Sequence, residues 1–167
     1  MKVAATESTP EAVCTDCGAT VSGGRAGCKK LFEEQLARDF SDFRYGRVHR
    51  LLVDTYSLQH PDAYMRSGKS FAAHLTGACA ALEYDDTQGI NRAVQQWLSE
   101  APMIDKPKEL PEHRGALTIL HVHSAADAEE HVVRVLEWAR SAWSAWAEYH
   151  ELARQWIAAS ATQAKER

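Results

Sequence analysis

The stretch CTDCGATVSGGRAGC, residues 14 to 28, holds three of the chain's four cysteines and four of its nine glycines, with no helical spacing. Glycine-rich backbone loses much conformational freedom when it is fixed, so local propensity alone will not order such a segment. A metal ion is the natural candidate to hold it. Cys14 and Cys17 form C-x-x-C with Gly18 directly after, and Cys28 follows after ten intervening residues. The two-residue gap lets both thiolates face one ion in a tight turn, and the glycine accepts the backbone angles of a knuckle. This is half of a zinc ribbon, and Zn2+ is the expected ion. The bland reading is free thiols. A thioredoxin-type redox pair would need a strand before it in a β-α-β pattern, and none precedes it.

A closed structural zinc site takes four protein ligands. Cys79 is the one further cysteine, and it lies in an apolar, helix-like segment. A histidine is the better fourth ligand, giving a Cys3His set; the alternatives are Cys79, an open position holding water, or an iron–sulfur cluster, which lacks a suitably placed fourth cysteine. If a first helix runs from Cys28 to about Phe40 and a second returns antiparallel, Cys28 lies near the end of the second that bears His60. We therefore expect Cys14, Cys17, Cys28 and His60 as ligands. His74, about one turn inside the third helix, and His49, nearer the turn, are the alternative fourth ligands.

The remainder reads as all-α, a helical bundle of four to six helices beneath the N-terminal Cys-rich knuckle loop. Helix one should bury Leu31, Phe32, Leu36 and Phe40 on one stripe. VHRLLVDTYSLQH, residues 48 to 60, is a second helix that ends at Pro61, since the residue before a proline is disfavoured in the helical region. Residues 61 to 69 should be a loop. A third helix follows from an N-cap at Ser70 and buries Phe71, Leu75, Cys79 and Leu82. A fourth turns Ile90, Val94, Trp97 and Leu98 inward. Three prolines make residues 102 to 115 a loop, and ALTILHVHSA, residues 116 to 125, is read as irregular or as a short helix capped by Thr118. From Ala125 to Ala161 one long helix, or two broken near Trp143 and Ser144, carries Val132, Leu136, Ala139, Trp143, Trp146 and Trp156 as core. We expect a flexible leader over 1–12, one helical domain over 13–161 with the knuckle at 14–28, and a flexible tail over 162–167.

At 167 residues the chain is long enough to bury a core without disulfides. The net charge of −4 removes the usual electrostatic reason for a nucleic-acid partner. No apolar run is long enough to span a bilayer, and MKVAATESTPEAV lacks a signal peptide's apolar region, so the cytoplasm is the expected address. Clustered cysteines suit a metal knot in a reducing compartment better than a disulfide framework.

Residues 47 to 75 add His49, His60 and His74, with Asp54, Tyr56 and Gln59 among them. His49 and His60 are eleven positions apart and therefore only about 20° apart around a helix, whereas Asp54 points away from their stripe. A histidine on an apolar face is more often a satisfied core residue than a ligand. Three in adjoining helices beside a thiolate cluster raise the case for one polar or metallic site, with His49, Asp54 and Tyr56 as candidate catalytic groups. His121, His123, His131 and His150 are set aside, the HVH pair as solvent-exposed and His150 as lying on a polar face.

CTDCGA, Cys28 with its following helix, VHRLLVDTYSLQHP, KSFAAHL, ALE and VLEWARSAWSAW together resemble an uncharacterised bacterial family, a domain of unknown function. Its members begin with a C-P-x-C-G knuckle, continue with a VHRLTVDAYAVQHP-like helix and end in a WA..VW.AW-like helix. The likeness runs from Cys14 to about Trp156. Thr15 and Asp16 stand where Pro-Gly is expected, which does not threaten ligation. The resemblance brings no activity, cofactor or partner; it implies that Cys14, Cys17, Cys28, His49, Asp54, Tyr56, Gln59, His60 and His74 matter.

Three functions compete. The first is a zinc-binding helical protein whose metal clamps the N-terminal loop to the bundle, its surface serving a protein partner or a second copy of the chain. The second is a metal-dependent enzyme, of hydrolase or thiol-transferase type, with a pocket lined by His49, Asp54, His60 and His74. The third is a thiol-based redox or metal sensor. The first is preferred, because closed thiolate sites are usually structural.

Overall fold

The knuckle segment folds as a small antiparallel hairpin rather than a plain loop. The computed structural model describes residues 10–100 and 103–165. In it β1 (Glu11–Val13) pairs with β2 (Thr20–Ser22) in the register Glu11↔Ser22, Ala12↔Val21 and Val13↔Thr20. Each strand has three residues, too few for period-two alternation to register in the sequence. Residues 1–9 of the expected leader lie outside the described residues, while Glu11 and Ala12 belong to β1.

Most of the rest is helical: α1 (Gly24–Ser41), α2 (Phe43–Gly46), α3 (His49–Gln59), α4 (Pro61–Tyr64), α5 (Gly68–Glu83), α6 (Thr87–Glu100), α7 (Ile119–His123), α8 (Ala128–Ala145) and α9 (His150–Lys165). Six of these have eleven residues or more and form the bundle. The all-α class is therefore right, with the hairpin as its only sheet among the described residues.

Several details depart from the sequence reading. α1 begins at Gly24 instead of Cys28, so Cys28 sits one turn inside the helix. Its buried face is Gly24, Cys28, Phe32, Gln35 and Asp39, at steps of four or three, whereas Phe40 is 80% exposed and Leu31 and Leu36 are half-buried. Apolarity alone misplaced this stripe because two of its members are polar. The expected loop after Pro61 contains α4, with proline in its first turn, where a missing N–H costs nothing. The N-cap of α5 is Ser67, which forms a capping box with Ser70 at the third helical position. α7 starts after Thr118, as one of the two readings allowed. The last long segment breaks at Trp146, through a 3-10 turn over Ala147–Tyr149. α9 continues through residues 162–165 of the expected tail; 166 and 167 lie outside the described residues.

The core has two parts. One gathers Phe71, Leu75, Cys79, Val94, Leu98, Trp146 and Ile157 from α5, α6 and α9 with the segment after α8. The other gathers Cys14, Val21, Cys28, Phe32, Leu52, Tyr56, Ile119, Val135 and Trp138, so the hairpin, α1, α3, α7 and α8 meet there. On α8 the buried face is His131, Val135, Trp138, Ala139, Ala142 and Trp143, with Val132 and Leu136 only half-buried. Trp138 is wholly buried and donates its Nε1–H to Gln59 Oε1 at 2.9 Å. Gln59 Nε2 in turn donates to the carbonyls of Arg114 and Leu117, each at 2.8 Å. That side chain pins the long connection before α7 onto α3 and leaves its own amide satisfied.

Candidate metal centre

Cys14 and Cys17 sit in the turn of the hairpin. Gly18 closes it at φ +80, a left-handed conformation that a side chain would resist. Its N–H donates to the Cys14 carbonyl at 2.8 Å, and the Cys14 N–H donates to the Ala19 carbonyl at 2.7 Å. The amides of Asp16 and Cys17 are directed at Cys14 Sγ and that of Ala19 at Cys17 Sγ, which favours the thiolate forms. Asp16, one of the two residues replacing the expected Pro-Gly, accepts from Arg25 Nε at 2.5 Å and ties the turn to the start of α1.

The hairpin lies against α1 where Gly27 leaves room. A Cβ at Gly27 would stand 1.9 Å from the Ser22 carbonyl oxygen, so only glycine permits this approach one residue before Cys28. His60 arrives from the other side, at the C-cap of α3. Its Nδ1 donates to the Tyr56 carbonyl at 2.8 Å; since a carbonyl can only accept, Nε2 is left as the basic nitrogen. Nε2 lies 3.5 Å from Cys28 Sγ and 3.6 Å from Cys14 Sγ, and Cys17 Sγ lies 3.7 Å from Cys28 Sγ. Two sulfurs on one tetrahedral zinc stand about 3.7 Å apart, and sulfur and nitrogen about 3.5 Å, given ordinary Zn–S and Zn–N bonds.

All four ligand atoms lie within 4.8 Å of one another and are buried. Cys14 and Cys28 are wholly buried and His60 is 3% exposed, while Cys17 keeps part of its surface open. Burial raises the Cys14 thiol above its ordinary range. Contact with the Cys28 thiol, then burial, pushes Cys17 up to about 12. With no cation among them these groups resist ionisation, and a cation is what would reverse that balance.

Aromatic rings wall the cluster. Tyr56 is sandwiched between Phe32 and His60, with ring centroids 3.8 Å away on each side. Its hydroxyl lies 3.7 Å from Cys28 Sγ, and burial holds its proton on. A cleft of about 600 Å³ opens over the His60 side, lined in part by Arg25, Lys29, Tyr56, His60 and Tyr64.

The other histidines of the 47–75 stretch stand elsewhere. His49 Nδ1 donates to Asp39 Oδ2 at 3.0 Å, at the far end of α1. His74 Nδ1 donates to Asp54 Oδ1 at 2.8 Å, and Arg50 Nε donates to Asp54 Oδ2 at 2.8 Å, linking α3 to α5. Asp54 is wholly buried, and Gly77 of α5 leaves the space it occupies. Neither His49 nor His74 belongs to the cysteine cluster, and the three histidines do not line one pocket. Sequence reasoning missed the polar residues on the buried face of α1, Gln35 and Asp39, and set aside His131, which is wholly buried. The steps 28, 32, 35 and 39 carry a signal for them, read as a face irrespective of polarity.

Fold and site together define a helical protein carrying a buried Cys3His cluster of a kind that can hold a metal ion. The chain belongs to DUF5946, a family of unknown function whose model matches residues 12–147. No curated protein and no solved structure matches it. Among the described residues no helix is long and apolar enough to cross a membrane.

Proposed function

We propose that this is a zinc-binding protein in which the ion clamps the N-terminal hairpin onto α1 and α3, with Cys14, Cys17, Cys28 and His60 as its four ligands. The supporting observation is the spacing of 3.5 to 3.7 Å among the sulfur and nitrogen atoms, that of ligands on a tetrahedral ion. Four protein ligands close the shell, as in structural sites, and soft thiolates with one imidazole favour zinc over magnesium or calcium. The Tyr56 hydroxyl would donate to the Cys28 thiolate, and the Tyr56 carbonyl would hold the His60 ring, as outer partners do in zinc centres. Clustered thiols of this kind persist in a reducing compartment, which supports a cytoplasmic address. The bundle surface is left for a protein partner or a second copy of the chain.

Elemental analysis of purified protein tests the reading. One zinc per chain is expected, with loss of zinc in Cys28→Ala and in His60→Ala. Metal-free wild type of unchanged thermal stability on zinc addition would end it.

A thiol-sensor reading has one observation in its favour: Cys17 is partly open to solvent and lies 3.7 Å from Cys28 Sγ. Oxidation by peroxide would then join these two zinc-bound thiolates in a disulfide, each giving up one electron while peroxide takes up two protons from solvent and is reduced to two waters, and release the ion. Zinc retained through such treatment would exclude it.

A further inference from the structure

A second group of buried polar atoms lies between α1 and α8. His131 of α8 is fully buried and neither of its ring nitrogens makes a hydrogen bond. Asp39 of α1 faces it with a side chain only 1% exposed, and its Oδ1 also makes no hydrogen bond. Gln35, one turn before Asp39 on the same buried face, adds an acceptor, Oε1, with no hydrogen-bond partner. Native proteins rarely leave so many buried polar atoms without a hydrogen bond, because each costs its desolvation.

The separation of the central pair is informative. His131 Nε2 stands 3.4 Å from Asp39 Oδ1. Three other imidazole–carboxylate pairs meet at hydrogen-bond distance, His121 and Glu137 at 2.7 Å, His74 and Asp54 at 2.8 Å and His49 and Asp39 at 3.0 Å, while His123 and Glu34, both with solvent-exposed side chains, stand 3.9 Å apart. A nitrogen and an oxygen bound to one tetrahedral ion at ordinary bond lengths stand about 3.3 to 3.4 Å apart. His131 and Asp39 hold that spacing.

The surroundings fix both groups. His49 Nδ1 donates to Oδ2 of Asp39, leaving Oδ1 directed to His131, and hydrogen-bonded carboxylates are what metal sites use. Tyr45 sets its ring edge-on to His131 at 5.1 Å between centroids. Gln35 Nε2 lies 3.2 Å from His123 Nδ1, which turns the amide so that Oε1 is its buried acceptor.

We propose that Asp39 Oδ1 and His131 Nε2, with Gln35 Oε1 as the third donor, form a second site for a first-row divalent transition-metal ion, distinct from the cysteine cluster. Oxygen and nitrogen donors without sulfur suit cobalt, zinc or manganese. The site stands whether or not the Cys3His cluster binds metal.

Cobalt separates the two sites, because only thiolate ligands give it a sulfur-to-metal absorption band. The full chain is loaded with Co2+ alone, freed of excess by gel filtration and assayed for cobalt per chain. Two per chain are expected in wild type. Asp39→Asn and His131→Gln should each lower the count to one and keep the thiolate band; Cys28→Ala should lower it to one and abolish the band. A single cobalt that survives Cys28→Ala and is lost in Asp39→Asn supports this site and overturns the cysteine one. One cobalt with the full band in wild type overturns the second site, whether or not the α1 and α8 variants fold. If they do not fold, two cobalt ions in wild type, the second shifting the 15N resonances of a buried imidazole, support it, and a second ion that shifts none overturns it.

Discussion

The His60 imidazole donates from Nδ1 to the carbonyl of Tyr56 at 2.8 Å, while the Tyr56 ring stacks on it at 3.8 Å between centroids. One residue thus fixes both the tautomer and the plane of the other. Replacing Tyr56 by Phe keeps the stack and the carbonyl and removes only the hydroxyl beside Cys28. We expect Tyr56→Phe to retain zinc but to bind it about tenfold more weakly, the lower end of what outer partners contribute. Competition with a chromophoric chelator measures this; unchanged affinity would leave the hydroxyl without a role at the metal.

Gly27→Ala should act on the site without touching a ligand. The added methyl would press on the Ser22 backbone carbonyl, which cannot swing aside as a flexible side chain can. The hairpin would have to lift from α1, carrying Cys14 and Cys17 away from Cys28. A loss of about 1–3 kcal/mol in stability, as for overpacking, is expected together with at least a tenfold loss in zinc affinity. Denaturant unfolding and chelator competition report the two effects separately.

Removing metal should disorder the hairpin and leave most of the helix intact. The cluster built on α5, α6 and α9 contains none of the four ligands. Treatment with a strong chelator should therefore preserve most of the far-ultraviolet helical signal while amide protection falls at residues 11 to 22. Global loss of helix would show instead that the two halves of the core fold as one unit.

Cys79 gives a pH prediction that does not involve the metal site. The side chain is fully buried, and burial, then the Glu83 carboxylate, pushes its thiol up to about 12 from an ordinary 9.0. The folded value lies above the unfolded one, so the unfolded chain releases this proton first as pH rises. Its contribution to stability is complete below pH 9.0 and is lost as the pH climbs toward about 12. Stability curves for wild type and Cys79→Ala should therefore converge over that interval. Parallel curves would contradict the assignment.

Gln59→Leu should destabilise the fold without affecting the metal. The change leaves the Trp138 indole N–H buried with no acceptor and removes two bonds to the Arg114 and Leu117 carbonyls. A buried unsatisfied donor costs about 1–3 kcal/mol, and a drop of that size in unfolding free energy at constant zinc content is expected.

Periodicity showed the long helices because each buries a stripe of side chains that repeats every turn, and Pro61 marked the end of α3, whereas the serine that caps α5 is Ser67, three residues before the one expected. The spacing of Cys14, Cys17 and Cys28, with an antiparallel pair of helices, was also enough to bring His60 forward as their neighbour. Other features were hidden for physical reasons. The hairpin is too short for its alternation to show, and its packing against α1 is not written in the strand residues themselves. Asp39 and His131 are polar residues on buried faces, so patterns that equate burial with apolarity pass over them. His49 and His74 lie near His60 in sequence, yet their placement depends on Asp39 and Asp54, carboxylates supplied by the packing of α1 and α3.

The four sulfur and nitrogen atoms come from the hairpin turn, from α1 and from the end of α3, and only the folded chain brings them together. On the clamp reading, the supply of free ion therefore enters the folding equilibrium itself. Each tenfold change in free zinc above the dissociation constant alters stability by about 1.4 kcal/mol. Zinc starvation would raise the unfolded fraction and expose the chain to proteases, so the protein's lifetime would follow the metal supply of its compartment.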